Sequence, residues 1–364
     1  MRVQVIYLFL AIAGFHPGGC VPFMEFLRSI LQVGKNKIDE DGVSYPVLYS
    51  NVRRQPIIPE NISFPCNVNF GRSLSIPNNV HRLRPGDIDV VAGLGDSLVA
   101  GSGAMEEYAV GTFIEARGVS WCVGGQGSWR QFFTLPNILK VFNPRLTGYS
   151  TGTGEFISTL ARLNIAFPVA ATEDALHQAR ILVQRIKDDP KINIKKHWKL
   201  ITILFGANDI CSAQCYDPQQ FSPMRYALHL RRALDFLKVA LPRTLVNLVP
   251  AIDVTVSVRV TRSVMCNILH PLYCACLHKD MTILQTSQWC YSHSLNYSTH
   301  LMQILFARHR SIPVWSHTTV STSVRKDMQS VRDTYVNVYR ASCLINIFYS
   351  SKIIALYQAI SNLI

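Results

Sequence analysis

Apolar and polar positions follow two periods along this chain, and the change from one to the other marks out its elements. Ile88-Asp89-Val90-Val91-Ala92-Gly93-Leu94-Gly95 is an almost continuous apolar run, which predicts a buried strand. Leu200-Ile201-Thr202-Ile203-Leu204-Phe205 and Leu245-Val246-Asn247-Leu248-Val249-Pro250 predict two more. Ala161 to Phe167 reads as a further strand. Between these runs the period becomes helical. Leu176, Ala179, Leu182, Val183 and Ile186 share one face, with Thr172 as the expected cap, Glu173 and Asp174 in the first turn and Pro190 as the stop. Tyr226 to Leu241 predicts a second amphipathic helix, Leu135 to Phe142 a short one, and residues 118–130, rich in Gly and Trp, a loop. Strands alternating with helices imply an α/β fold with a parallel sheet covered on both faces.

The ends of the chain read differently. Arg2 followed by the apolar run Val5–Phe15 and small residues has the order of a secretory signal peptide, assigned to residues 1–20. Residues 21–84 hold Pro46, Pro56, Pro59, Pro65 and Pro77 and read as a loop-rich extension, with Cys66 as a candidate anchor point. Past Cys290 the pattern weakens to one candidate helix, Leu301–Ala307. The apolar tail from Cys343 is interrupted by Ser350, Ser351, Lys352 and Gln358, so it does not read as a membrane anchor.

Composition narrows the function classes. The chain has 364 residues, of which 48% are hydrophobic and 16% charged, a globular balance. Its formal charge of +13 favours anionic surfaces. No long basic run, basic-aromatic repeat or zinc-finger spacing accompanies that charge, so the expected partner is a membrane surface and not nucleic acid. Ten cysteines fit an oxidising compartment. Cys211 and Cys215 pair either with each other or elsewhere, and Cys274-Ala275-Cys276 is too tight for a zinc pair. Asn61-Ile62-Ser63 and Asn296-Tyr297-Ser298 are sequons, making Asn61 and Asn296 candidate glycan sites if the chain is secreted.

Two strand ends carry candidate chemistry. The first apolar strand runs into Asp96-Ser97-Leu98 and then Ala100, Gly101, Gly103 and Ala104. A serine hydroxyl needs a base to take its proton and donors to hold an oxyanion, and a strand mouth is where such groups converge. Asn208 follows another strand through Gly206-Ala207. Strand C-termini of a parallel sheet share one edge, so its amide can reach the Ser97 region and donate to an oxyanion. Taken singly, Ser97 also suits a helix cap and Asn208 an Asx turn.

The residues around these ends resemble a known family. Leu83-Arg84-Pro85-Gly86-Asp87-Ile88 with Gly93-Leu94-Gly95-Asp96-Ser97-Leu98 is similar to the first block of the GDSL/SGNH hydrolases, in particular the animal membrane-associated phospholipases B. Gly118-Val119-Ser120-Trp121, Thr134-Leu135-Pro136-Asn137, Leu163-Asn164-Ile165-Ala166 and Gly206-Ala207-Asn208-Asp209 resemble later blocks in order, over about His81 to Cys276. The resemblance implies a three-layer α/β/α flavodoxin-like sandwich over residues 85–316, followed by an atypical tail at 317–364. It implies metal-free and cofactor-free hydrolysis of phospholipid and lysophospholipid acyl esters. Ser97 would be the nucleophile, with the Ser97 N–H and the Asn208 side chain in the oxyanion hole.

The chain departs from the family at two points. Where the family has an oxyanion-hole glycine this chain has Val169, whose β-branched side chain restricts the backbone. The C-terminal third has no Asp-x-x-His, the family's acid and base. His293, His300, His309 and His317 are the late histidines, and His317 is the substitute base the sequence offers. The implied function is a secreted or extracellular, membrane-associating phospholipase B-like serine esterase. The alternative is a lipid-binding or interaction protein that keeps the hydrolase fold. A carbohydrate esterase fits the chemistry but not the blocks.

Overall fold

The computed structural model describes residues 36–38, 44–46, 56–106, 109–249, 251, 254, 264–279 and 314–315. The signal-peptide segment, the Leu301–Ala307 helix, Asn296, His317 and the tail lie outside these residues. The chain divides into two units, Met1–Ser50 and Asn51–Ile364. In the first unit β1 (Asn36–Ile38) pairs antiparallel with β2 (Ser44–Pro46).

The second unit is built on a parallel sheet of β3 (Ile88–Gly95), β4 (Trp198–Leu204), β5 (Thr244–Val249) and β6 (Val314–Trp315), in that order. In register, Gly95 faces Leu204 and Leu204 faces Val249, so these three strands end at one edge. On one face, Val90, Ala92, Leu94, Ile201, Ile203 and Val246 pack under α3 (Ala175–Asp188) and α4 (Pro223–Ala240). On the other, Leu135 and Leu139 of α2 (Leu135–Phe142) cover Val91, Trp198 and Leu200. Alternate residues of each strand therefore feed opposite cores, which makes the α/β/α sandwich and explains why the strands read as continuous apolar runs.

Two local expectations change. Ala161–Phe167 is not a regular strand. It begins in a 3-10 turn ending at Ala161, passes Arg162 at φ 50°, and then runs parallel to β3 with a single bridge, Gly93 to Asn164. The segment bonds β3 on one side only, through Leu163 O, Ile165 N–H and Phe167 N–H, while the carbonyls of Asn164 and Ala166 on its other side are taken by the Arg117 guanidinium. Thr172 is not the cap of α3. Residues Thr172–Asp174 form a 3-10 turn, and Asp174 Oδ2 closes it by accepting the Ala171 N–H at 3.0 Å.

Further ties fix the loops. Trp198 Nε1 and Arg243 Nη1 both donate to Pro77 O, and Ser73 donates to Asp87, fastening residues 56–84 onto the sheet. Cys211 bonds to Cys274 and Cys215 to Cys276, so the two neighbouring cysteines pair with the second couple and not with each other. These bridges join the segment after Asn208 to α5 (Val264–Tyr273) and α6 (Ala275–Lys279). Cys66 is also disulfide-bonded. Among the described residues no helix is long and apolar enough to cross a membrane.

Arg117 is the central pin of the loops above the sheet. It is 1% exposed and donates to Gly154 O, Asn164 O and Ala166 O while pairing with Glu115. Arg117→Met strands three carbonyls and a buried carboxylate. It is expected to destabilise the fold by about 3–5 kcal/mol, read as a lower urea midpoint. A loss below about 1 kcal/mol would contradict this role.

Candidate active site

Two glycines allow the strand ends to approach each other. A Cβ on Gly95 would meet Leu204 O at 2.4 Å and Val99 Cγ2 at 2.6 Å. Gly206, at φ 115°, turns the chain out of β4 where a Cβ would meet Ala251 Cβ at 2.7 Å. Only residues without side chains fit there.

Past Gly95, Asp96 caps α1 (Ser97–Ala100): its Oδ1 accepts the Leu98 N–H at 2.9 Å, and Gly101 closes the helix in the left-handed region. Ser97 is therefore the first helical residue and is half-buried at the edge of the sheet. Among the described residues no hydrogen bond engages its hydroxyl or its N–H. An unpaired N–H in a first helical turn is a ready donor to an anion.

Asn208 stands at the start of a π-helix, Asp209–Ala213. Its Nδ2 donates to Ala170 O at 2.9 Å, which uses one amide hydrogen and leaves the second. Ala170 ends the tight turn Phe167-Pro168-Val169-Ala170, closed by Ala170 N–H to Phe167 O at 3.3 Å. Phe167 N–H in turn donates to Gly95 O at 3.3 Å, and Thr172 N–H donates to the Asp209 carboxylate at 3.0 Å. The turn thus touches both strand ends and joins the segments of Ser97, Val169 and Asn208.

Val169 occupies the third turn position at φ 66°, the left-handed region that glycine takes freely. The β-branched side chain has not prevented this conformation. It is relieved sterically by facing solvent at 69% exposure, while the backbone bears the strain.

Beneath these groups lie two buried acids. Burial pushes the Asp96 carboxyl up to about 7, against the Leu98 hydrogen bond and with added repulsion from Asp209. Burial lifts Asp209 to about 6, opposed by hydrogen bonds from Thr172. The buried Tyr226 phenol is also raised, by desolvation and then by Asp209 and Asp96. The residues flanking Ser97 and Asn208 therefore feel one another's charge across the two strand ends.

Of the residues named from sequence, Ser97, Val169 and Asn208 stand on segments that hydrogen bonds through the 167–172 turn tie together, while His317 and Asn296 lie outside the described residues. Asn61 is exposed in a turn. An Asp-x-x-His spacing does occur once, at Asp174–His177, upstream of where the family carries its block. It lies at the start of α3, where Asp174 closes a turn and His177 faces solvent. Gln178 and Arg117 were not legible as site-building residues. The signal for Gln178 was a polar residue on the apolar face that carries Ala175, Ala179 and Leu182; Arg117 had none.

Two outcomes follow. Val169→Gly is expected to stabilise the fold by about 1 kcal/mol, because the strain goes and little buried surface is lost. Urea melts check this, and destabilisation would count against the strained turn. The second concerns pH. Asp96 and Asp209 keep protons in the fold at pH values where the unfolded chain releases them. Their contribution to stability is therefore fully present below about pH 4 and is lost as pH rises through about 6 to 7. Asp96→Asn is expected to flatten that decline in denaturation midpoints measured from about pH 4 to 8; an unchanged slope would contradict it.

Comparison with known proteins agrees with this geometry. The model of the GDSL-like Lipase/Acylhydrolase family matches residues 91–299. "Phospholipase B1, membrane-associated" of Homo sapiens is 46% identical over 182 residues, which is 50% of this chain and 12% of that protein. The Mus musculus protein of the same name is 40% identical over 245 residues, 62% of this chain and 16% of its own length. The Rattus norvegicus protein is 45% identical over 179 residues, 49% of this chain and 12% of its own length. The chain thus matches only 12% to 16% of the length of these curated relatives. With more than half of its residues under the family model and a parallel sheet that carries Ser97 and Asn208 at one edge, this chain belongs to the GDSL-like lipase/acylhydrolase family.

Proposed function

We propose that this chain is a secreted serine esterase that hydrolyses acyl esters of phospholipids and lysophospholipids at a membrane surface. The observation that carries the reading is the linkage of two adjacent parallel strand ends, one bearing Ser97 and the other Asn208, through the 167–172 turn. Ser97 Oγ attacks the ester carbonyl and its proton passes to a base. The developing oxyanion takes hydrogen bonds from Ser97 N–H, Val169 N–H and the second Asn208 amide hydrogen. The intermediate collapses with cleavage of the ester C–O bond, and the alcohol leaves with the proton the base took from Ser97. Water then gives a proton to the base, attacks the acyl-Ser97 carbonyl and releases the carboxylic acid, with Ser97 Oγ reprotonated by the base. The names of the relatives support phospholipid as the substrate class. The basic charge supports an anionic lipid surface, and the N-terminal pattern supports secretion, with Asn61 and Asn296 as glycan acceptors.

A second reading, a lipid-binding protein that keeps the fold without turnover, draws on one fact of sequence: no Asp-x-x-His in the C-terminal third. His317 is the base offered for the first reading. A serine site without its base retains only the residual catalysis of oxyanion hole and binding.

The folded chain is expected to be labelled by a fluorophosphonate at Ser97, as mapped by peptide mass. Ser97→Ala should remove the label and lower turnover of a lysophospholipid by about 10⁶. Asn208→Ala should lower kcat by about 10²–10³. A folded wild-type chain without label would overturn the esterase reading. Saturable lipid binding unaffected by Ser97→Ala, without turnover, would establish the second.

A further inference from the structure

The last residue of β3 gives both of its backbone polar groups, which belong to the two successive peptides that meet at its α-carbon, to one side chain. Gly95 N–H donates to Gln178 Oε1 at 2.8 Å, and Gln178 Nε2 donates back to Gly95 O at 2.8 Å. Because Gly95 offers one donor and one acceptor, the amide orientation is fixed. Gln178 is 0% exposed and reaches Gly95 from α3, across 83 residues of sequence. The same Gly95 carbonyl also accepts the Phe167 N–H, so this one oxygen joins β3, α3 and the turn that holds Val169. Two residues further on stands Ser97.

Packing does not account for a glutamine here. Its neighbours on the helix face, Ala175, Ala179 and Leu182, all belong to the apolar core. A buried amide among them costs stability unless both its groups are bonded. At this position the groups it bonds lie immediately before the nucleophile loop.

We propose that Gln178 is a positioning residue: its amide holds the two peptide planes that meet at Gly95 and thereby sets the direction in which Ser97 presents its hydroxyl and N–H toward Val169 and Asn208. This rests on the reading of Ser97 as nucleophile. Gln178 touches no reacting atom; it acts through Gly95.

Gln178→Glu tests the role, because a carboxyl can imitate the amide only when protonated. The protonated acid donates O–H to Gly95 O and accepts from Gly95 N–H. The carboxylate has no donor and directs charge at a carbonyl oxygen. Burial keeps such a carboxyl protonated to a pH above its ordinary value of about 4.3. The quantity read is the rate of Ser97 labelling by a fluorophosphonate, as the ratio of variant to wild type at each pH. Titrations common to both proteins, those of buried Asp96 and Asp209 first among them, divide out of that ratio to first order. Hydrogen exchange of the Gly95 amide is followed in parallel.

The ratio is expected near 1 at about pH 5 and to fall about 10²-fold toward pH 8, the cost of a misplacement on the order of 1 Å. Gly95 exchange should accelerate over the same pH range. Gln178→Leu should stay low throughout while the probe's initial reversible affinity is retained. A merely structural glutamine would lower the melting temperature and leave the ratio flat. A labelled wild type with a flat ratio in Gln178→Glu overturns the role alone. An unlabelled wild type removes the nucleophile reading, and the role with it.

Discussion

Three hydrogen bonds fasten the Phe167–Thr172 turn to the sheet edge. Phe167 N–H reaches Gly95 O, Asn208 Nδ2 reaches Ala170 O, and Thr172 N–H reaches the Asp209 carboxylate. A parallel sheet brings strand C-termini to one edge but does not by itself aim their side chains. Here the turn supplies the aim, because it bonds to both strand ends and carries the Val169 amide between them. Arg117 holds the approach to this turn through Asn164 O and Ala166 O. The disulfides at Cys211 and Cys215 hold the far side of the Asn208 segment. Removing the turn would leave two loops with no common geometry.

The electrostatics follow from the same crowding. Small residues at Gly95 and Gly206 let the strand ends close together, and this buries Asp96 and Asp209 within reach of each other's charge. Burial raises both carboxyls under the strand ends, which lessens the negative charge beside Ser97, and the Ser97 N–H above them makes no hydrogen bond among the described residues. A site of this kind gains its donors from backbone geometry and needs few special side chains.

Much of this architecture was legible in the sequence. β3, β4 and β5 announce themselves because strands buried on both faces are apolar throughout, and α3 and α4 because one face of each must be apolar. Ser97 and Asn208 were legible as polar residues that end such strands behind glycine. Other features depend on tertiary partners that no local pattern encodes. The left-handed Val169 runs against its residue type, so only the surrounding bonds reveal it. The strand expected at Ala161–Phe167 is irregular, with Arg162 in the left-handed region and the carbonyls of Asn164 and Ala166 taken by the distant Arg117. Thr172 looked like a cap, but its backbone N–H serves Asp209 across the site. Gln178 was visible as a polar residue on an apolar face, yet its purpose appears only once Gly95 is seen beside it. Disulfide partners are combinatorial in sequence and become fixed by the packing of α5 and α6.

In the proposed mechanism Ser97, Val169 and Asn208 would converge on one small anion. A crystal structure of the chain phosphorylated by a dialkyl aryl phosphate measures this most directly. The account predicts phosphorus on Ser97 Oγ and its free oxygen about 2.7–3.1 Å from Ser97 N, Val169 N and Asn208 Nδ2. A phosphoryl oxygen turned to solvent, with Asn208 and Val169 beyond hydrogen-bonding distance, would contradict it.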